Sequence, residues 1–303
     1  MLIEELKFYY TPKEVNSLLE QNKCSIHDLL IDLASQIKQY ANIPISNFCV
    51  GAAALGKTGS IYCGVNIELK YISMGQVIHA EQCTILNAAI HSLENHETGI
   101  EILAVTETPC GHCRQFLQEL PDCGEIEVFV PSHGIQCPLK NLLPHSFELP
   151  IDGRLWKIFE QPTEVFVPSK ENQRIWDTFC DDHHLSNGKN IINYAYQLMT
   201  HSFAPYSKSK ASVVLINSKK KLFFGGMTVE SAAYNPTMTA SQSSVVSMIT
   251  RFESMDDIDY MLILECKNPL CDIKSSSLHL SQVLPKQNDD KNENKIKTCY
   301  LCQ

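Results

Sequence analysis

The sequence predicts an α/β fold built twice along the chain, and two observations support this prediction. Between residues 48 and 130, predicted elements follow in the order strand–strand–helix–strand–helix–strand, which is typical of a three-layer α/β/α sandwich with a mixed sheet. From Asn187 onward the chain resembles its own first half: Pro205-Tyr206-Ser207-Lys208 stands where Pro44-Ile45-Ser46-Asn47 stands. A similarity of this length indicates one domain-sized duplication rather than a short-period repeat.

The elements of the first repeat follow from turn signals and from the spacing of apolar residues. Thr11-Pro12-Lys13-Glu14 predicts a helix start, with an N-cap, a proline at the first helical position and a carboxylate in the first turn. Residues 24–40 repeat apolar side chains at helical spacing. The remaining predicted elements are strands at 48–55, 61–67, 102–105 and 126–130, and helices at 80–93 and 114–120.

The composition is that of a folded globular protein. The chain has 303 residues, of which 44% are hydrophobic and 19% charged, so it is long enough for two ordinary domains. Its formal net charge of −9 argues against a nucleic-acid surface, which usually carries a basic patch. The sequence begins without a secretory signal and contains no long uncharged apolar run. Its thirteen cysteines are scattered, and their number is odd. We therefore expect a cytoplasmic protein with reduced thiols and no membrane or nucleic-acid partner.

Two short motifs carry the chemistry. His79-Ala80-Glu81 is followed about thirty residues later by Pro109-Cys110-Gly111-His112-Cys113. One histidine and two cysteines provide three zinc ligands, and the fourth position stays open for water, as in catalytic zinc sites. The pair of motifs matches the H-x-E…P-C-x-x-C signature of zinc-dependent base deaminases.

Glu81 is the expected proton carrier of this site, because it is not needed as a ligand. It can take the proton of a zinc-bound water, so that the hydroxide attacks an amidine-like carbon, and it can then protonate the leaving amine. The alternative is a purely structural zinc site, which would need a fourth protein ligand. His112 lies inside the motif and could be a fourth ligand, but we expect it to point outward from the opposite side of the turn, where it would support a ligand or face solvent.

Three residues of the first repeat suit a nucleoside substrate. Asn66 and Glu68 flank Ile67 at the end of a strand, so their side chains face the same side and can bind a sugar hydroxyl together. The alternative is an ordinary strand end, where both residue types are common. Phe48 could stack on a pyrimidine, although a phenylalanine that enters an apolar strand is more often part of the core.

The second repeat lacks this chemistry. Thr239-Ala240-Ser241 stands where His79-Ala80-Glu81 stands, and Cys266 and Cys271 are too far apart for one helical turn. Cys299 and Cys302 form a C-x-x-C pair, which without a second pair nearby only weakly indicates a metal or redox role. The second repeat is most simply a structural partner of the first.

These predictions divide the chain into four regions, the last of which contains a polar segment. We expect an N-terminal helical segment over 1–40, a catalytic zinc domain over 41–150, a linker over 151–183 and a degenerate, non-catalytic copy over 184–303. Within the last region, residues 287–297 are charged and rich in asparagine, which predicts a solvated loop.

With these residues assembled, the chain resembles the cytidine deaminase family in the duplicated, homodimeric form known from enteric bacteria. The resemblance covers most of the chain, and its close points include residues 45–48, 77–82, 109–116, 142–144 and 205–209, together with Phe147. It implies a cytidine-deaminase-like sandwich that converts cytidine and deoxycytidine to uridine and deoxyuridine in pyrimidine salvage. It also implies a homodimer with one Zn²⁺ per chain.

The resemblance assigns a role to each site residue. It makes His79, Cys110 and Cys113 the zinc ligands and Glu81 the proton shuttle. It also implies three substrate-binding roles. Asn66, Ile67 and Glu68 would hold the ribose, Phe48 would stack on the base, and Phe147 would close the pocket of the neighbouring subunit.

The chain departs from the enteric pattern in places, and two other functions compete with this one. The linker matches poorly, the tail after about residue 285 is longer, and Thr228 and Ser209 replace the Asn and Phe of the first repeat. One alternative is a deaminase that acts on nucleic acids or on modified pyrimidines. The acidic net charge and Glu68 argue against nucleic acids as the substrate. A non-catalytic zinc-binding protein is the other, and Glu81 beside the ligands argues against it.

Overall fold

The protein forms two compact units, which we describe from a computed structural model. The first unit contains residues 1–160 and the short segment Ser231–Thr237, and the second contains the rest. The parts of the chain that the structure describes are residue 3 and residues 5–70, 73–149, 157–160, 162, 164–267 and 296–303. The predicted polar loop over 287–297 therefore lies almost entirely outside the described residues, and so does Cys271.

The first unit consists of a mixed sheet with helices packed against it. In the described part of this unit, the strands are β1 (Tyr9–Tyr10), β2 (Gly51–Gly56), β3 (Ile61–Val65), β4 (Ile100–Val105), β5 (Glu127–Val130) and β6 (Ile135–Pro138). The helices are α1 (Pro12–Asn22), α2 (Ile26–Ile37), α3 (Ala80–Asn95), α4 (Gly111–Phe116) and α5 (Leu139–Leu142).

The strands lie in the order β1-β3-β2-β4-β5-β6, and only β4 and β5 run parallel to each other. This sheet confirms the predicted mixed α/β architecture. The predicted start of α1 is also confirmed, because Thr11 caps the helix and Glu14 completes a capping box with it.

The N-terminal part of α3 packs unusually close to the sheet, and a glycine makes this possible. A Cβ atom at Gly64 of β3 would overlap the backbone of Thr84 and of Ala80 in α3. In the second repeat, Gly226 of the equivalent strand would clash in the same way with Ser244 and Ala240. Both repeats therefore require glycine at this point to bring the helix against the sheet.

The second strand begins three residues later than the sequence predicts. We expected it from Phe48, but β2 starts at Gly51. Asn47 adopts a left-handed conformation with φ of 56°, which interrupts the extended run. The Asn66 side chain forms hydrogen bonds with two backbone groups of this segment. Its Nδ2 donates to the Phe48 carbonyl at 2.8 Å, and its Oδ1 accepts from the Val50 N–H at 2.8 Å.

The described part of the second unit repeats the central arrangement of the first. Its described elements are α6 (Lys170–His183), α7 (Gly188–His201), β7 (Ala211–Asn217), β8 (Leu222–Met227), α8 (Ala240–Ile249), β9 (Tyr260–Glu265) and β10 (Lys297–Cys302). The sheet order is β10-β9-β7-β8, in which only β9 and β10 are parallel, as β4 and β5 are in the first unit. The duplicated fold that the sequence predicts is thus observed.

The C-terminal C-x-x-C pair belongs to a strand. Cys299 and Cys302 both lie in β10, where residues three apart point to opposite faces of the sheet. Cys299 is accordingly buried and Cys302 exposed. The pair therefore cannot act as two neighbouring ligands of one metal ion in this conformation. No helix in the described ranges combines the length and the apolar character that crossing a membrane requires.

Candidate metal centre

Three side chains from the ends of two helices converge at one point of the first unit. His79 immediately precedes α3, Cys110 immediately precedes α4, and Cys113 lies in the first turn of α4. The backbone of the preceding residue, Ile78, exchanges hydrogen bonds of 2.8 and 3.0 Å with Ile67. The predicted ligands from motifs about thirty residues apart are therefore brought together by the fold.

The spacing of the three ligand atoms fits a zinc ion. The Nδ1 atom of His79 lies 3.4 Å from the Sγ atom of Cys110 and 3.4 Å from that of Cys113, and the two sulfurs are 3.8 Å apart. Ordinary Zn–S and Zn–N bonds in a tetrahedron place ligand atoms about 3.6 Å (N to S) and about 3.8 Å (S to S) apart. No other group of three such ligands is found in the described part of the chain.

The electrostatics of the two thiols also favour a cation. The hydrogen bond between their sulfurs lowers the pKa of Cys110 far below its ordinary value, and it raises the pKa of Cys113, which burial raises further. One thiolate therefore forms readily, whereas a second negative charge beside it is opposed. A divalent cation removes this opposition and stabilises both residues as thiolates, which are the forms that bind zinc.

Glu81 lies in the first turn of α3, two residues beyond His79, and its side chain is buried. Burial raises its pKa, and a hydrogen bond to the Cys113 side chain is among the interactions that act on it. The carboxyl group therefore lies beside the ligand cluster without being part of it, as the sequence predicts for a proton carrier. His112 is exposed and lies outside the cluster.

The predicted ribose-binding residues contact the loop that carries Phe48. The Glu68 carboxylate accepts hydrogen bonds from the backbone N–H groups of Ile45 and Ser46 at 2.8 and 3.0 Å. Burial raises the pKa of Glu68, but hydrogen bonds from Ser46 and Ile45 outweigh this effect and leave its pKa below the ordinary value. The Asn66 side chain ties the same loop together on either side of Cys49. Ile67 between them is fully buried, and its backbone pairs with Ile78, the residue before His79.

Phe48 and Phe147 are both exposed large apolar side chains, with 56% and 53% of their surface accessible. Exposure argues against Phe48 as a core residue and leaves its ring available to a ligand. Phe147 is held by its backbone, because the buried Gln115 side chain accepts from its N–H at 3.0 Å and donates to its carbonyl at 2.9 Å. Gln115 follows Cys113 by two residues, so this pair of hydrogen bonds connects Phe147 to the ligand helix.

Three residues without an expected role fix the backbone around the cluster or connect Phe147 to it. Gln82, the third residue of α3, accepts a hydrogen bond from the N–H of the N-cap residue His79 at 3.1 Å and so helps to cap the helix. Arg114 donates to the carbonyls of Pro109 and Leu142, and so it fixes the backbone that enters the cysteine motif. Gln115 is the third. Gln82 recurs as Gln242, three residues after the helix cap in each repeat. This recurrence in the sequence could have predicted a capping role for both residues.

The second repeat keeps the helix start, and its described residues contain no such cluster. Thr239 caps α8 at the place where His79 precedes α3, and its side chain accepts from the N–H of Gln242 at 3.2 Å. Ser241 stands at the position of Glu81 and is buried. The capping geometry of the helix is thus retained without a metal ligand or a carboxyl group.

Comparisons with known proteins agree with this site. Two family models, both described as the cytidine and deoxycytidylate deaminase zinc-binding region, match residues 24–127 and 139–276. Cytidine deaminase of Shewanella halifaxensis is 32% identical over 265 residues, which cover 88% of this chain and 82% of that protein. Cytidine deaminase of Proteus mirabilis is 29% identical over 262 residues, with coverages of 86% and 81%. Cytidine deaminase 6 of Arabidopsis thaliana is 32% identical over 311 residues, with coverages of 97% and 98%. The geometry fits the zinc ion that both family descriptions name, and the chain belongs to the cytidine deaminase family.

Proposed function

We propose that this chain catalyses the zinc-dependent hydrolytic deamination of cytidine and deoxycytidine to uridine and deoxyuridine, with release of ammonia. The observation that carries the proposal is the tetrahedral spacing of the ligand atoms of His79, Cys110 and Cys113 next to the buried carboxyl group of Glu81. Relatives that match more than four fifths of the chain and bear the name cytidine deaminase support the choice of substrate.

The proposed mechanism divides the work between the metal and one carboxyl group. His79, Cys110 and Cys113 hold the zinc ion, which supplies a Lewis acid that lowers the pKa of a water molecule. Glu81 accepts the proton of the attacking water and passes protons to the pyrimidine ring and to the amino group that leaves as ammonia. Its raised pKa suits this role, because a carboxyl group that both accepts and returns a proton works best when its pKa approaches the working pH.

We assign substrate binding to the loop beside the cluster. Phe48 presents an exposed ring that can stack on the cytosine base. Asn66 and Glu68 fix the backbone of this loop, and a carboxylate has capacity for about four hydrogen bonds, so Glu68 can also accept from a ribose hydroxyl. The negative charge of Glu68 disfavours a substrate with a phosphate at that position, which favours nucleosides over nucleotides.

The remaining features of the proposal concern the setting of the enzyme. We assign it to pyrimidine salvage, in the cytoplasm, where the free thiols of the described cysteines would stay reduced. We also propose a homodimer, in which Phe147 closes the pocket of the neighbouring subunit. The exposure of Phe147 in the single chain, together with its fixed backbone, supports this assignment.

The proposal is tested with purified, zinc-loaded protein by following the loss of ultraviolet absorbance of cytidine. Glu81→Gln should lower turnover by about 10²- to 10⁴-fold while the zinc content stays at one per chain, because Glu81 moves protons and binds no metal. Ser241→Ala, at the equivalent position of the second repeat, is the matched control and should retain activity. Failure of folded, zinc-loaded wild type to turn over cytidine and deoxycytidine would refute the proposed function.

A further inference from the structure

A short segment that belongs to the second repeat by sequence is part of the first compact unit. This segment, Ser231–Thr237, lies between β8 and α8, and we call it the brace segment. It is closed by its own hydrogen bonds: the Thr237 hydroxyl accepts from the Ser231 N–H at 3.0 Å, and the Tyr234 N–H donates to the Ser231 carbonyl at 2.9 Å. Tyr234 adopts a left-handed conformation within this turn. The segment is thus a compact turn of defined shape.

The brace segment contacts the helix that follows His79. The buried Gln82 side chain donates from Nε2 to the Pro236 carbonyl at 3.1 Å, while its Oε1 accepts from the His79 N–H at 3.1 Å. One amide group therefore links the brace segment directly to the backbone of the proposed histidine ligand. Because the oxygen and the nitrogen of the Gln82 amide are both hydrogen-bonded, the orientation of the amide is fixed. The hydrogen bond to the His79 N–H therefore fixes the position of that group as well.

The brace segment also contacts the short turn that follows α4, the helix that contains Cys113. Ala232 donates its N–H to the Glu119 carboxylate at 2.8 Å, in a buried hydrogen bond. Glu119 ends the short 3-10 turn Leu117–Glu119, which directly follows α4, the helix that Cys110 precedes and that contains Cys113. The brace segment is therefore hydrogen-bonded to α3, the helix that follows His79, and to the turn that follows α4, the helix that contains Cys113.

We propose that the brace segment positions the zinc ligands, so that the non-catalytic repeat contributes directly to metal binding in the first unit. A tetrahedral site requires its histidine and its two cysteines at a fixed separation, and these ligands lie on different elements. The brace segment sets this separation through Gln82 on one side and Glu119 on the other. Residues that act on ligands in this way commonly change metal affinity about 10- to 100-fold when they are replaced. The inference rests on the ligands assigned under the proposed function.

Zinc affinity, measured by competition with a chromophoric chelator, tests the proposal without any assay of activity. Glu119→Leu removes the acceptor of the Ala232 N–H, and Ala232→Pro removes the donor. We expect each to raise the zinc dissociation constant by about 10-fold or more. Because both variants break the same hydrogen bond, the double variant should lose no more affinity than the weaker-binding single variant.

Two further variants distinguish the effect of the brace segment on zinc binding from the effect of the cap of α3. Gln82→Met removes both the contact with Pro236 and the cap on His79, and it should weaken zinc binding at least as much as Glu119→Leu. Gln242→Met removes the equivalent cap from α8, where Gln242 accepts from the Thr239 N–H at 3.0 Å. This matched control should leave the zinc dissociation constant unchanged.

The outcomes distinguish this inference from the proposed function. Unchanged zinc affinity in both folded brace variants overturns the inference, and so does a loss of affinity confined to Gln82→Met, which would assign the effect to the helix cap alone. If either brace variant fails to fold, the other measures the same hydrogen bond. His79→Ala serves as the reference: if it keeps the zinc affinity of wild type, the ligand assignment is wrong, and the proposed function fails together with the inference.

Discussion

Replacing Gln115 by methionine tests how the ring of Phe147 is held in place. The substitution keeps the length of the side chain and removes both hydrogen bonds to the Phe147 backbone, of 2.9 and 3.0 Å. Each bond is expected to contribute about 0.5–1.5 kcal/mol, so the pair fixes Phe147 by about 1–3 kcal/mol. If Phe147 helps to close a substrate pocket, this free energy is lost from substrate binding.

Converted to affinity, a loss of about 1–3 kcal/mol corresponds to an increase of KM for cytidine of about 5- to 150-fold. We expect kcat to change little, because the substitution removes no contact of Glu81. A rise in KM at constant kcat is the kinetic signature of binding energy that the ground state and the transition state share. Steady-state kinetics of the zinc-loaded variant measures both quantities.

Two controls make this prediction specific. Gln118→Met, one helical turn further on, removes a contact with the Arg114 carbonyl instead and should leave KM unchanged. In Phe147→Ala, the further replacement of Gln115 should have no additional effect on KM, because the ring it positions is already gone. An unchanged KM in folded Gln115→Met, or a fall in kcat alone, would refute the reasoning.

Three further predictions concern the glycines beneath the helices, Glu68 and the cysteines. Gly64→Ala should displace the start of α3 and lower both stability and zinc affinity, whereas Gly226→Ala should lower only the stability; unfolding in urea and chelator competition measure the two effects. Glu68→Gln should destabilise the protein by about 1–2 kcal/mol at pH 7, since a neutral acceptor binds N–H groups about half as strongly as a carboxylate. The pKa of Glu68 is lowered in the folded protein, so its contribution is present above the ordinary value of 4.5 and is lost as the pH falls through the folded pKa; the difference in unfolding free energy from wild type should therefore shrink in acid. Cys302→Ser should retain one zinc per chain by metal analysis, while Cys113→Ser should lose it.

Much of the fold was predictable because the signals were local or repeated. The capping box of Thr11 and Glu14 and the repeat of the sheet elements in both halves follow directly from residue types and spacing. The start of β2 was predicted wrongly at Phe48, because the backbone of Phe48 and Val50 bonds the side chain of Asn66, eighteen and sixteen residues away in the sequence. Apolar character alone does not reveal such a contact.

The proposed metal ligands were predictable for a different reason. A histidine and two cysteines must meet within a few ångströms, so their motifs identify the site even when the intervening fold is unknown. The residues that position these ligands carry no such motif. Glu119 and Ala232 are 113 positions apart, and their hydrogen bond uses a backbone N–H that every residue except proline possesses. Only the structure shows that these two residues meet.

The two repeats also separate the structural role of a carboxylate that occurs in both from its proposed chemical role in one. Glu230 accepts from the backbone N–H groups of Tyr206 and Ser207 at 2.9 and 3.1 Å, as Glu68 does from Ile45 and Ser46. The second repeat therefore keeps this carboxylate although it has no metal cluster among its described residues.

A glutamate at this position thus stabilises a loop whether or not a substrate binds there. The presence of Glu68 alone cannot identify a ribose site. The comparison that can do so is between Glu68→Gln and Glu230→Gln, which should cost similar stability, while only Glu68→Gln raises KM for cytidine. Equal effects of both variants on KM would reduce Glu68 to a structural residue and leave the sugar to other contacts.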